Sequence, residues 1–434
     1  MGSDIHRPLA DYPANIWEDP LTSFSKSDLG NDTFKEKHAT LKEVVKESFL
    51  SSKANPIEHI KFIDALCRLG VSYHFERDIV EQLHKLSDCP DFNQTIRHDA
   101  CDLYTVGILF QVFSPHLAVR IKNALKHPYH KGITRIETRQ YISYYQEEES
   151  CDLTILEFAK IDFNLLQILH CEELSWVARW YQEMEIESKY SQARVTLAIA
   201  LILFTTLDDT YDAYGTVEEL EVFTDAMENM KYIYHATVDF YDKLEEELEK
   251  EGRSGCGFHL KKSLQTAANG FMQEAKWLNE YKENAVLSSA YYALIAVTFV
   301  RMTDVAKLDA FEWLSSHPKI RVASEMICRF TDDVSSYEFE HKREHVATGI
   351  DCYMNQFGVS KEIAVEEMGN IVSDAWKDLN QELMRPHAVP YPLLMRVFNL
   401  SRVIDVFYRY QDSYTHPEYL KAHIVSLLVE SIPI

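Results

Sequence analysis

The sequence predicts an all-α protein of two domains, and three observations predict it. At 434 residues the chain is too long for one ordinary core. Glycine and proline are scarce, at 13 each, so turns are few. Apolar residues recur at three- and four-residue spacing, as they do in helices that each bury one face.

The N-terminal stretch with Pro8, Pro13 and Pro20 reads as irregular. Ile60, Ile63, Leu66 and Leu69 then repeat every three residues, and Gly70 stands where a helix would stop. Phe75 to Leu86 reads as the next helix, completing an αα-hairpin. Ser175 to Ser188 mixes charge with aromatics and marks a junction, dividing the chain into residues 1–180 and 181–434. Arg194 to Thr206 is nearly all apolar, which predicts a helix buried on every side. Glu219 to Lys250 is amphipathic, and its acidic run Asp242 to Glu251 reads as a solvated face. Tyr291 to Val300 predicts a second buried helix.

The formal net charge of −24 disfavours nucleic acid and anionic lipid as partners. It also disfavours a free diphosphate, unless metal ions intervene. Cys67, Cys89, Cys101, Cys151, Cys171, Cys256, Cys328 and Cys352 form no C-x-x-C pair and read as reduced, buried filler. Met1 to Pro20 has neither an apolar signal region nor the composition of a transit peptide. The longest apolar run, Val195 to Leu207, falls short of the roughly 20 residues that span a bilayer. A soluble cytoplasmic protein is expected.

Two clusters carry chemistry. Leu207-Asp208-Asp209-Thr210-Tyr211-Asp212 places three carboxylates directly after the most apolar helix. Asp208 and Asp212, four apart, share one helix face and repel. Hard carboxylate oxygens suit Mg²⁺, which commonly bridges protein carboxylates to phosphates. An acidic helix end emerging into solvent reads equally well from this motif alone. In the second cluster, Arg329 to Glu340, the residues Asp332, Ser336 and Glu340 stand at i, i+4 and i+8. They stack three oxygen ligands along about 12 Å of one face. Arg329 lies about a turn before them, with a fork of donors suited to phosphate. Alone, this cluster also reads as an acidic surface helix.

Together the clusters suggest two oxygen-lined helices holding a diphosphate through shared metal ions. Neutralising the leaving diphosphate makes carbon–oxygen ionisation feasible. The allylic cation left behind calls for a dry, aromatic cavity. Other motifs are weak. Gly252-Arg253-Ser254-Gly255-Cys256-Gly257 reads as an inter-helix loop, and His341 with His345 lacks the H-E-x-x-H order of a zinc site.

Asp208-Asp209-x-x-Asp212 resembles the aspartate-rich motif of class I terpene synthases, and Asp332 through Glu340 resembles their second metal motif. Arg7-Pro8, with Trp17 after eight residues, resembles the plant sesquiterpene synthase N-terminus. The runs Arg68 to Phe75, Arg135 to Ile142, Lys160 to Asn164 and Asp412 to Ile434 also match. The resemblance extends over essentially the whole chain. It implies an N-terminal α-barrel relic and a C-terminal class I α-bundle that ionises and cyclises farnesyl diphosphate, working as a monomer. It implies three Mg²⁺ ions, a role open also to Mn²⁺. Asp208, Asp209 and Asp212 would ligate metal on one side, and Asp332, Ser336 and Glu340 on the other. Arg329 would bind diphosphate. Tyr408, Asp412 and Tyr414 would shape the cation or move a proton, and Ser288, Ser289 and Tyr291 would line the pocket.

Measured against that family the chain is short by about a fifth. Text is missing after Phe113, between Lys189 and Tyr190, near Met230 and near Glu280. The second gap falls where the family carries an Arg-x-Arg pair and a pocket-walling helix. Glu338 stands where many relatives carry Lys, and Arg301 where Gly is common. A catalytically impaired homologue that only binds is therefore a second reading. A chain-elongating prenyltransferase is a third, weakened because the second cluster does not repeat Asp-Asp-x-x-Asp.

Overall fold

The protein is described by a computed structural model covering residues 32–54, 56–87, 131–148, 151–180, 189–209, 233–275, 288–340, 348–409 and 411–434. No strand occurs among these residues. The chain divides into two compact units, one of residues 1–16 and 173–419, the other of residues 17–172 and 420–434.

In the second unit, α1 (Asp32–Ser51), α2 (Pro56–Arg68), α3 (Glu76–Ser87), α4 (Thr134–Gln146) and the larger part of α5 (Leu153–Trp180) surround a core that includes Phe49, Leu66, Phe75, Ile142, Phe158 and Phe163. Gly70 ends α2 as the sequence predicts. It has φ +74°, its N–H bonds Cys67 O at 3.1 Å, and Val71 N bonds Leu66 O at 3.0 Å. A Cβ there would stand 2.6 Å from Thr138 Oγ1, so the site demands glycine for space as well as for conformation. The chain's last residues join this unit. Asn164 and Ile432 exchange two hydrogen bonds of 2.8 Å, and Gln167 donates to Leu427 O at 3.1 Å.

The first unit contains α6 (Lys189–Asp209), α7 (Ile233–Lys250), α8 (Cys256–Ala275), α9 (Tyr291–Val300), α10 (Leu308–Ser315), α11 (Lys319–Glu340), α12 (Gly349–Phe357), α13 (Lys361–Glu382) and α14 (Tyr391–Phe407). Helix α9 is its axis. Every residue of α9 is buried, as predicted, and α6, α8, α10, α11 and α14 all touch it. Helix α6 departs from expectation. Ile199, Ala200, Leu203, Phe204 and Leu207 are buried, but Ile202 is 40% exposed and Thr205 and Thr206 are exposed. Apolar content reports what a helix is able to bury, not how many neighbours it has.

The glycine-rich turn between α7 and α8 is the expected loop, and it has a structural task. Arg253, buried there, donates to Val300 O at 2.5 Å, Phe299 O at 3.0 Å and Ala306 O at 2.5 Å. It thereby gives a donor to Val300 O at the end of α9 and adds one at Phe299 O, which also accepts from Met302 N at 3.1 Å. The acidic run on α7 is largely solvated, with Lys261 pairing Asp242 at 2.8 Å and Glu245 at 2.5 Å. Arg301 joins α6 to α7 by donating to Thr196 Oγ1 at 3.1 Å and pairing Glu247 at 2.7 Å. A capping box at Thr348 and Asp351 opens α12, and Gly358 (φ +65°) closes it. Among the described residues no helix is long and apolar enough to cross a membrane.

Candidate active site

The site is built where α6, α9 and α11 meet the segment that follows α14. The backbone breaks just before α9. Ala290 takes the left-handed conformation (φ 55°), and Tyr291 N reaches Ser289 Oγ at 3.4 Å. Ser288 is buried and Ser289 half-buried at this break. Tyr291 is buried, and its hydroxyl donates to Leu400 O at 3.1 Å.

Asp208, half-buried, comes in the last turn of α6, and Asp209 ends that helix. Asp212 lies outside the described residues, as do His341 and His345. So do three of the positions where family text is missing, Phe113, Met230 and Glu280. Lys189 and Tyr190 open α6.

On α11, Asp332 and Glu340 are half-buried and Ser336 is buried. The Ser336 hydroxyl donates to Asp332 O at 3.0 Å, leaving its lone pairs for a cation. All of these candidate ligands offer hard oxygens, a set that suits Mg²⁺ better than a softer metal. Arg329 is not a bare phosphate fork. Its Nη2 lies 2.5 Å from Oδ1 of Asp333, which is fully buried. Glu338, at the exposed edge of α11, pairs with Lys361 at the start of α13.

Asp412 caps a turn after α14. It accepts from Tyr414 N at 2.8 Å and Thr415 N at 3.2 Å, and also from the Thr415 hydroxyl. That turn sets Tyr414 beside Tyr408, with ring centroids 6.0 Å apart. Ser335 donates to Tyr408 O at 3.0 Å, which ties α11 to this segment.

The electrostatics link groups from separate elements. Burial pushes the Cys328 thiol well up, and Asp332 and Asp208 push it further. Burial, then Cys328, Asp332, Asp412 and Asp208, push up the Tyr414 phenol, although 48% of that residue is exposed. Burial also raises Tyr408 and Tyr291, each with Asp332 contributing. Asp208 and Asp332, from different helices, thus act on the same thiol and the same phenol. The phenols stay protonated, so they present neutral rings and hydroxyls rather than phenolates.

A cavity of about 770 Å³ opens on the neighbouring flank of α11, between it, α13 and the segment after α14. Phe330, Val334, Glu338, Tyr408, Asp412 and His416 are among its lining. Sequence reasoning did not connect Cys328, read there as filler, with Asp332, nor Asp333 with Arg329, nor Ser335 with Tyr408. The spacing of Arg329 and Asp333 at i, i+4 was the available signal for one of them.

Two family models match the chain: the N-terminal domain of terpene synthases over residues 16–117, and the metal-binding domain of the terpene synthase family over residues 174–378. An alpha-humulene/(-)-(E)-beta-caryophyllene synthase of Arabidopsis thaliana is 66% identical over 547 positions, covering all of both chains. This chain has 434 residues, so roughly a fifth of those positions have no residue here. A sesquiterpene synthase of Santalum austrocaledonicum is 33% identical, covering 98% of this chain and 97% of its own. Among solved structures, limonene synthase with 2-fluorolinalyl diphosphate matches with TM-score 0.81 and 20% identity, over 98% of this chain and 100% of that one. Isoprene synthase of grey poplar, in complex with three Mg²⁺ ions and dimethylallyl-S-thiolodiphosphate, matches with TM-score 0.78 and 22% identity, over 96% and 99%. The fold is the two-domain terpene synthase fold, and with both domain models and a full-length 66% relative in agreement, the chain belongs to the terpene synthase family.

Proposed function

We propose that this protein is a sesquiterpene synthase that ionises farnesyl diphosphate with Mg²⁺ and steers the cation to a hydrocarbon or alcohol. The observation that supports the reading is that Asp208 on α6 and Asp332 on α11 both contribute to raising the Cys328 thiol and the Tyr414 phenol. The name of the Arabidopsis relative supports the C15 substrate class. Residues 181–434 supply the catalytic domain and residues 1–180 the relic domain.

Asp208, Asp209 and Asp212 would hold metal from one motif, and Asp332, Ser336 and Glu340 from the other. Three Mg²⁺ ions, when bound, supply the charge that stabilises the leaving diphosphate. Arg329, oriented by Asp333, donates to that anion. Tyr291, Tyr408 and Tyr414 line the cation's path as neutral aromatics, with Ser288 and Ser289 at the helix break. Asp412 positions Tyr414 through the turn it caps. Excluding water from this region prevents premature capture of the cation.

A second reading is an impaired homologue that binds diphosphate without turnover. The missing fifth of the aligned length favours it. One experiment separates the two. The purified full chain is incubated with Mg²⁺ and either farnesyl or geranyl diphosphate, and volatile products are resolved by gas chromatography. A sesquiterpene formed from the C15 substrate is the expected result. Metal-dependent stabilisation by diphosphate with no product refutes synthesis and supports the impaired homologue. A longer diphosphate formed only with isopentenyl diphosphate establishes a prenyltransferase instead.

A further inference from the structure

Within the unit of residues 17–172 and 420–434, two histidines and an aspartate converge from separate elements. His38 comes from α1, His74 from the 3₁₀ turn Ser72–His74, and Asp162 from α5. His38 Nε2 lies 3.0 Å and His74 Nε2 2.8 Å from the same oxygen, Asp162 Oδ1. The three ligand atoms all lie within 4.8 Å of one another. The side chains are 17%, 12% and 4% exposed, so the cluster is recessed yet open to a small ion.

We propose that His38, His74 and Asp162 form a binding site for one divalent transition-metal ion of the zinc or cobalt kind, separate from the acidic motifs. The ligand set points to that class. Two imidazole nitrogens and one carboxylate suit Zn²⁺ or Co²⁺, whereas Mg²⁺ prefers oxygen alone. The spacing fits as well. A four-coordinate ion at about 2.0–2.2 Å holds its ligand atoms roughly 3.4 Å apart. The observed nitrogen-to-oxygen distances of 3.0 and 2.8 Å would open by about half an ångström, and the two imidazole nitrogens stand within 4.8 Å of each other.

The surroundings hold the ligands in place. Phe158 stacks on the His38 ring at 4.9 Å and flanks His74 at 5.3 Å. The Tyr73 hydroxyl donates to Asp162 Oδ1 at 2.6 Å and orients the carboxylate from the second sphere. Arg135 also faces Asp162, anchored on Phe163 O at 3.0 Å and over the Phe163 ring at 3.9 Å. The Arg135 charge works against any dication there, so binding has to draw on the imidazole lone pairs.

The competing account is a hydrogen-bonded hub that only fastens α1, the 3₁₀ turn and α5 together. The test uses the full chain, stripped with chelator and kept in excess Mg²⁺ so that the acidic motifs are occupied. Co²⁺ is followed by visible absorption and Zn²⁺ by calorimetry. The expected result is one equivalent bound, with the strong absorption bands of four-coordinate Co²⁺. His38→Gln and His74→Gln each keep a side chain able to bond Asp162 but lose the imidazole. Each should weaken binding at least about tenfold, while far-UV circular dichroism and the urea midpoint report whether the fold survives. Asp162→Asn should behave alike. Wild-type protein that takes up no equivalent, or variants that bind as wild type does, would overturn the site and leave only the hub.

Discussion

Arg253→Met tests how the axis of the catalytic unit is held. The guanidinium is buried and donates to three carbonyls, two of them at the end of α9. Hydrogen bonds to a charged donor contribute about 1.5–3 kcal/mol each. The gross loss is offset by no longer desolvating a guanidinium, several kcal/mol for a buried ion. The net destabilisation is about 3–5 kcal/mol, the range observed when a buried charged network loses one partner. Methionine keeps the apolar length of the stem, so the deficit reports the donors rather than a cavity. Domains are stable by only about 5–15 kcal/mol, so the loss would be a large fraction of the total. Urea unfolding followed by circular dichroism reads it as a lower midpoint at unchanged slope. Arg253→Lys, a point charge without the fork, should recover only part of the difference. A methionine variant within about 1 kcal/mol of wild type would refute the capping argument, because it would mean that Val300 O and Ala306 O are satisfied without Arg253.

Three further outcomes are expected. Asp208→Ala or Asp332→Ala should lower turnover of farnesyl diphosphate by at least about 10²–10³-fold, the scale for losing one electrostatic partner of a transition state; wild-type rates by gas chromatography would remove those residues from the site. Glu325, fully buried against Arg321 at 2.7 Å, has its carboxyl pushed up to about 7 by burial. The folded state therefore holds this proton more tightly than the unfolded chain, so its contribution to stability is full below the unfolded pKa and is lost as pH rises to about 7. Glu325→Gln should flatten the fall in urea midpoint between pH 5 and 7, and an unchanged slope would exclude Glu325 as its source. Gly70→Ala forces a left-handed backbone on alanine and drives a Cβ onto Thr138, which should cost about 1–3 kcal/mol in the same unfolding assay.

Much of the fold was legible because local pattern and local structure coincide. The stop at Gly70, the wholly buried α9 and the solvated face of α7 each follow from residues within a few turns of one another. Both carboxylate motifs were legible for the same reason, since each is a short run of neighbouring residues. What escaped was convergence between distant segments. Nothing near Asn164 announces Ile432 as its partner, and nothing near Asp162 announces His38 and His74. Cys328 read as filler because a lone cysteine carries no spacing signal. The influence of Asp208 on it comes from a helix more than a hundred residues away in the chain. The excess exposure on α6 has the same origin, because a run of apolar residues does not state how many helices stand ready to cover it.

Charge near the carboxylate motifs leads to a last expectation. Asp208, Asp332 and Asp412 all act on the Tyr414 phenol, and the Arg329 guanidinium is already matched by Asp333. A diphosphate entering there meets these three carboxylates, on a chain whose formal charge is −24. Its attraction must therefore come from cations that arrive with it or before it. Inorganic pyrophosphate alone should then leave the unfolding temperature unchanged. Pyrophosphate with Mg²⁺ should raise it, by the equivalent of about 2.7 kcal/mol at a hundred times the dissociation constant. Asp332→Asn should abolish the metal-dependent gain without creating a metal-free one of similar size. Stabilisation by pyrophosphate in the presence of chelator, as large as that with Mg²⁺, would mean that protein cations suffice. The two carboxylate motifs would then lose their role as the bridge to the leaving group.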